Sequence, residues 1–284
     1  MRNNTLTAYT ATSTFVLIWG MGAIFTHWGL ENASAMLLLI FRFSIALLVL
    51  LLIGICRRKI LPKQGSIKQV LLTGVLLVGG YSVCYFQAMA HGVTPGLIAT
   101  IMGIQPILTL CILEKHHLNK TKLIGLCIAL LGLIALVWEG LLSTQIAPIG
   151  IILALIALLC ITFGSILQKQ IKQHPAEILP VQYGIGLLIC FVLLPFETIN
   201  LTMNMHLIAS ILFLGVIVSV VAQILLYQLL QKGNVVNVTS LFYLVPIITA
   251  VLDYCLLGNT LPWFGLLGML AILIGIVLVF KAKL

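Results

Sequence analysis

Apolar runs of about 20 residues follow one another along the whole chain, parted only by short polar breaks. A helix rising about 1.5 Å per residue needs that length to cross a hydrocarbon core of about 30 Å. Inside hydrocarbon every backbone N–H and C=O must find its partner within the protein, so the runs are read as helices. Apolar periodicity places them near Tyr9–Leu30, Ala33–Cys56, Ile67–Ala90, Val93–Leu113 and Lys122–Trp138, then near Pro148–Gln168, Ala176–Phe196, Leu207–Gln231, Asn234–Leu257 and Thr260–Phe280. About ten helices fill the 284 residues and leave no room for a soluble domain or a long linker. Composition agrees: 62% of residues are apolar and 7% charged, too few charges to cover a soluble core of this size. The first run carries Trp19, His27 and Trp28 without a small-residue cleavage site, and it reads as a span and not as a cleavable signal. The seven cysteines are scattered, with no metal-ligand spacing, and read as small buried hydrophobes.

The connections give the orientation. With the N-terminus in the cytoplasm and sides alternating, Arg2, Arg57, Arg58, Lys59, Lys63, Lys68, Lys115, Lys120 and Lys122 fall inside, as do Lys169, Lys172, Lys232, Lys281 and Lys283. The outer connections carry Glu31, Glu139 and Glu197 and no Lys or Arg. Arg42 alone departs from the positive-inside rule. Adding or removing one helix would scatter the later clusters to both sides. The charges therefore support ten spans, N-in and C-in, in a multi-pass protein of the cytoplasmic (inner) membrane. They also account for the net charge of +9, and no nucleic-acid partner is expected.

The chain carries an internal repeat. A shift of 140 residues, without a gap, places Pro106-Ile107 on Pro246-Ile247, Thr109 on Thr249, Asn119 on Asn259 and Gly125-Leu126 on Gly265-Leu266. Leu and Ile coincide cheaply in such a composition, so Pro, Thr, Asn and Gly carry the signal. Each copy, 1–140 and 141–284, holds five helices. Five is odd, so the second copy enters the membrane inverted. Inverted repeats are characteristic of secondary transporters, in which two similar halves exchange roles around one central site.

With these features the chain resembles the drug/metabolite transporter superfamily, in its EamA-type branch of ten-helix carriers. The resemblance spans essentially the whole chain. It rests on Trp19-Gly20 in the first helix, Arg42-Phe43 in the second, Pro106 and Gly125 in the fourth and fifth, and Pro246 and Gly265 in the second copy. One departure is plain: where the family often ends helices four and nine with Leu-Gly-Glu, this chain has Asn119 and Asn259, and Glu114 lies out of frame. The resemblance implies a central cavity lined by helices one, three, four, six, eight and nine. It also implies export or exchange of small metabolites, often amino acids.

Polar side chains inside hydrocarbon are costly, and each needs a reason. Tyr81 and Tyr85 share one face of helix three; Gln223 and Tyr227 share one face of helix eight. Together they suit a substrate cavity with aromatic walls, or else interhelical hydrogen bonds. Gln105 precedes Pro106, and Tyr243 lies just before Pro246. The two prolines are expected to break helices four and nine, which is the best sequence pointer to a transport site, with a static kink as the alternative. Trp19 is a cavity wall or a packing residue. Arg42 needs a carboxylate, an anionic substrate or carbonyls, unless it snorkels. Asp253 is the one acid well inside a span; it binds a proton, pairs with Arg42, contacts a substrate amine or is solvated. Gly125 with Ala129, and Ala271 with Gly275, pack helices within the chain or between two copies.

The reading is a secondary transporter, monomer or homodimer. Its partners are the bilayer, a small amphipathic solute, and a proton or counter-substrate. No phosphate-binding loop, HExxH or GxSxG occurs, so neither ATP, a metal nor another cofactor is expected. The competing readings are an intramembrane enzyme, and a channel or a scaffold that transports nothing.

Overall fold

The structure is a computed structural model that describes residues 2–59, 61–63, 65–114, 119–142, 147–252, 254 and 263–282, with the side chains of 2–9 and 139–142 left aside. Among the described residues, ten helices are long and apolar enough to cross a membrane. They are α1 (Arg2–Asn32), α2 (Ala35–Cys56), α3 (Ile67–Ala90), α4 (Pro95–Leu113), α5 (Lys120–Leu142), α6 (Pro148–Gln170), α7 (Pro175–Phe196), α8 (Met205–Lys232), α9 (Val235–Leu252) and α10 (Trp263–Lys281). The described residues form no sheet; one isolated antiparallel bridge joins Ala33 and Leu201.

Polar residues mark several starts. Thr94 caps α4 through Leu97 N–H at 3.3 Å, and Asn204 caps α8 through Leu207 N–H at 2.8 Å. Asn234 caps α9 through the N–H groups of Val236 at 2.9 Å and Asn237 at 3.3 Å. Each supplies an acceptor to an N–H that the helix itself cannot satisfy. Pro95, Pro148 and Pro175 occupy first-turn positions, where a missing N–H costs nothing.

Four spans are irregular at mid-depth. π turns run through Gly74–Gly80 in α3 and Phe213–Ala222 in α8. α4 is interrupted at Gly103–Ile104, between Pro95–Met102 and Gln105–Leu113. α9 tightens to a 3₁₀ turn at Leu241–Tyr243. Proline explains the last two. Pro106 cannot donate to the carbonyl of Met102, nor Pro246 to that of Phe242, and the ring crowds the preceding turn.

α5 and α10 pack backbone to backbone through small residues. A Cβ on Gly132 would lie 2.6 Å from the Gly268 carbonyl, and one on Gly125 would lie 2.7 Å from the Gly275 carbonyl. Gly268 and Gly275 meet the Gly132 and Gly125 carbonyls in return, while Ala129 abuts Gly275 and Ala271 abuts Gly132. The helices therefore run in opposite directions, and the small-residue spacings act within the chain.

Outside, the bundle is apolar. Leu48, Leu52 and Ile55 of α2, Leu131 of α5, Leu188 and Phe191 of α7, and Leu270 and Leu273 of α10 are all exposed. Such a continuous apolar surface is stable only in lipid. The basic connections meet at one end. There Lys59 pairs with Glu177 at 3.6 Å, Lys169 donates to the carbonyls of Gln231 and Gly233, and Gln231 donates to those of Ile171 and Gln173. At the opposite end Glu197 accepts from Met36 N–H at 2.8 Å and from Gln87 at 2.7 Å, beside the Ala33–Leu201 bridge.

Candidate functional site

At mid-depth, where the four irregular turns lie, the helices line a small cavity of about 100 Å³. α1 contributes Trp19, Ala23 and Thr26; α3 contributes Tyr81, Ser82, Tyr85 and Phe86. α4 contributes Ala99, Met102, Gly103 and Gln105, and α9 contributes Phe242, Val245 and Pro246. Ile161 of α6 and Leu214 and Val218 of α8 complete the wall, and Arg42 reaches in from α2.

The two ends of the cavity differ. Toward the basic end, Phe15, Trp19 and Phe242 form a closed aromatic group, with ring centres 5.2 to 5.5 Å apart. A separate hollow, lined by Thr12, Gln228, Lys232 and Asn234, lies on the basic side of this group. In the other direction Ala23, Tyr85, Ala99, Val245 and Pro246 continue into a wider hollow that reaches His27, Trp28 and Glu31. His27 Nδ1 and Glu31 lie 3.2 Å apart at that mouth, and both are exposed.

Of the residues singled out from sequence, Trp19, Tyr81, Tyr85, Gln105, Arg42 and Pro246 line the cavity. The Tyr81 and Tyr85 rings lie 5.6 Å apart. Gln105 is buried and points its amide toward Ser165 at 3.4 Å. Gln223 lines a narrow extension of the cavity with Arg42, Tyr81 and Tyr183.

Three residues sit elsewhere. Tyr227 is wholly buried and donates to Gln182 Oε1 at 2.7 Å. Gln182 in turn donates to Thr73 at 2.6 Å and to Gln168 at 3.1 Å. That network ties α3, α6, α7 and α8 together, so Tyr227 is a packing residue in this structure and not a cavity wall. Tyr243 is buried too and donates its hydroxyl to the Gly103 carbonyl. Pro106 is buried behind the break that it causes. Asp253 lies outside the described residues, as does Asn259.

Other participants carried little signal in the sequence. Ser219 accepts from Arg42 Nε at 2.8 Å, and Phe43 and Phe86 place their rings 5.7 and 5.6 Å from the guanidinium carbon. A serine or phenylalanine in an apolar run is unremarkable by itself; its position beside Arg42 is made by the fold. Gly20 explains the Trp19-Gly20 pair. A Cβ there would lie 2.8 Å from Ile248, so glycine lets α9 approach α1, and Thr249 donates to its carbonyl at 2.9 Å.

The sequence profile of the EamA-like transporter family matches residues 6–138 and again residues 148–281. The chain belongs to the EamA-like transporter family. An uncharacterized transporter of Archaeoglobus fulgidus is 25% identical over 274 residues, covering 93% of each chain. A probable amino-acid metabolite efflux pump of Salmonella typhimurium is 24% identical over 280 residues, covering 92% of this chain and 90% of its own. A solved crystal structure covering 98% of both chains superposes with a TM-score of 0.77 at 18% identity, a likeness of fold. The EamA-like transporter is thus a multi-pass membrane protein of ten helices, and its central cavity lies between helices drawn from both matched segments.

Proposed function

We propose that this EamA-like protein is a secondary carrier that exports or exchanges a small amphipathic metabolite across the cytoplasmic membrane by alternating access. The observation that carries the reading is the asymmetry of the cavity. It continues toward His27 and Glu31 and is closed toward the basic end by Phe15, Trp19 and Phe242. By the positive-inside rule the basic end faces the cytoplasm, so this is an outward-open form. Trp19, Tyr81, Tyr85, Gln105 and Gln223 hold the solute, and Asp253 tunes coupling to a proton or counter-substrate.

In this reading two similar halves, 1–140 and 141–284, lie in opposite orientations and exchange roles during alternating access. Several features support them. The family profile matches twice. The π turns at Gly74–Gly80 and Phe213–Ala222 overlap under the 140-residue shift, as do the irregular turns at Gly103 and Tyr243. α5 and α10 meet reciprocally. The Salmonella relative's name, an amino-acid metabolite efflux pump, supports export of solutes of that kind.

Sealed vesicles containing the purified protein test the reading. Uptake of labelled amino acids and related metabolites is expected to saturate and to accelerate when unlabelled solute waits on the far side. Linear flux with no such acceleration indicates a channel. Chemical change of the solute without movement indicates an enzyme.

A further inference from the structure

Arg42 lies about 10 Å along α2 from Ala35, inside the bundle and 9% exposed. It faces the cavity and its narrow extension. Ser219 accepts from its Nε, Tyr183 lines the same narrow extension, and the rings of Phe43 and Phe86 flank it. These neighbours are hydroxyls and ring faces, all neutral. Among the described residues Arg42 makes no ion pair, and no carboxylate lines the cavity.

A guanidinium this little exposed, deep in the wall of the cavity and without an anion beside it, is costly at membrane depth even where the cavity admits water. Snorkelling does not relieve it, because the Nε–H is committed to α8 through Ser219. The planar fork of N–H donors matches a carboxylate edge to edge. Around it the cavity offers aromatic and thioether surface from Trp19, Tyr85, Met102 and Phe242, which suits an apolar body. No described acidic side chain in the cavity stands ready to receive an ammonium group; Glu31 lies out at the mouth.

We infer that Arg42 receives the carboxylate of the transported solute, so that the carrier selects small organic acids with an apolar or aromatic body and does not require an amino group on them. The inference rests on the cavity being the transport site.

The test is binding to the full-length purified protein, read as thermal stabilisation. The probes are 3-phenylpropionate, 3-phenylpropionamide, phenethylamine and L-phenylalanine, with isovalerate and isovaleramide as the aliphatic pair. The acids are expected to bind about 10- to 100-fold more tightly than the matching amides and the amine, the range set by charge-assisted hydrogen bonds. L-Phenylalanine is expected to bind no more tightly than 3-phenylpropionate. This comparison uses the unaltered protein and depends on no variant folding. Arg42→Gln is expected to bring acid and amide within about threefold of each other, and Arg42→Lys to keep the order with weaker binding. Ala99→Trp, which fills the cavity, is expected to remove binding of every probe.

Amides or the amine binding as tightly as acids, with binding still lost in Ala99→Trp, overturns the carboxylate assignment and leaves the cavity reading standing. An acid preference that persists in Arg42→Gln overturns it as well. Binding of all probes that survives Ala99→Trp overturns the cavity reading itself. Failure of every acid to bind the unaltered protein overturns the inference.

Discussion

The hydroxyl of Tyr243 donates to the backbone carbonyl of Gly103, the residue 140 positions before it. Each residue lies in the irregular turn of its own helix, just ahead of Pro106 or Pro246. One side chain thus bridges two interrupted helices at the edge of the cavity. Tyr243→Phe keeps the ring and leaves a buried carbonyl without this donor. The expected cost is about 1–3 kcal/mol of stability, read as a lower thermal midpoint. A midpoint equal to the parent's contradicts the role.

The α5–α10 seam has no room for side chains at its glycines. Gly132→Val forces a branched side chain against the Gly268 carbonyl and the Ile272 backbone and is expected to give little or no folded protein. Gly184 provides the contrast, because a Cβ there meets nothing within 4 Å. Gly184→Ala is expected to be neutral or to stabilise by up to about 1 kcal/mol, since alanine suits a helix better. Size-exclusion profiles and thermal midpoints of the two variants make the comparison.

Lys122 is 1% exposed and pairs with Glu114 at 2.6 Å. The partner is the glutamate that falls out of frame with the family's usual acid, and it joins the end of α4 to the start of α5. Glu114→Gln strands a buried ammonium and is expected to cost about 3–5 kcal/mol. Replacing both residues, Glu114→Gln with Lys122→Met, is expected to recover most of that loss. A double-mutant cycle in thermal or denaturant unfolding measures the coupling.

His174 caps α7 by accepting from Ala176 N–H at 3.2 Å, which requires an unprotonated Nδ1. Burial pushes its pKa below the ordinary 6.5, helped by Arg57 and more weakly by Lys59, against the pull of Glu177. The folded state therefore favours the neutral ring. The unfolded chain takes up its proton first as pH falls, so this contribution to stability is full above about 6.5 and is lost below it. His174→Asn keeps a capping oxygen without a titrating ring. The thermal midpoint of the variant should fall less between about pH 7.5 and 5.5 than that of the parent. Equal slopes contradict the assignment.

Much of this architecture is legible in one sequence because lipid imposes it. Run length gives the spans, and Lys and Arg mark one end. The site is less legible because it depends on rotation and depth. Gln223 and Tyr227 share a helical face, yet Gln223 reaches the cavity's extension while Tyr227, one turn farther, meets α7 at Gln182. Spacing reports the face and not the depth at which neighbouring helices converge. The π turns before Tyr81 and Gln223 add a rotation that apolar periodicity does not reveal, since an extra residue turns a helix by about 100°.

The most direct test of the account labels Ala99→Cys, in a background without the native cysteines, with a membrane-impermeant maleimide added to one side of oriented vesicles at a time. Ala99 lies where the central cavity joins the hollow leading to His27 and Glu31. Labelling is expected to be fast from the Glu31 side and slow from the basic side. Phe242→Ala, which opens the aromatic group, is expected to raise the basic-side rate at least about tenfold, the range over which a small shift in a two-state opening equilibrium is readily seen. Equal labelling from both sides in the parent, or a basic-side rate indifferent to Phe242→Ala, would contradict a central site closed by Phe15, Trp19 and Phe242.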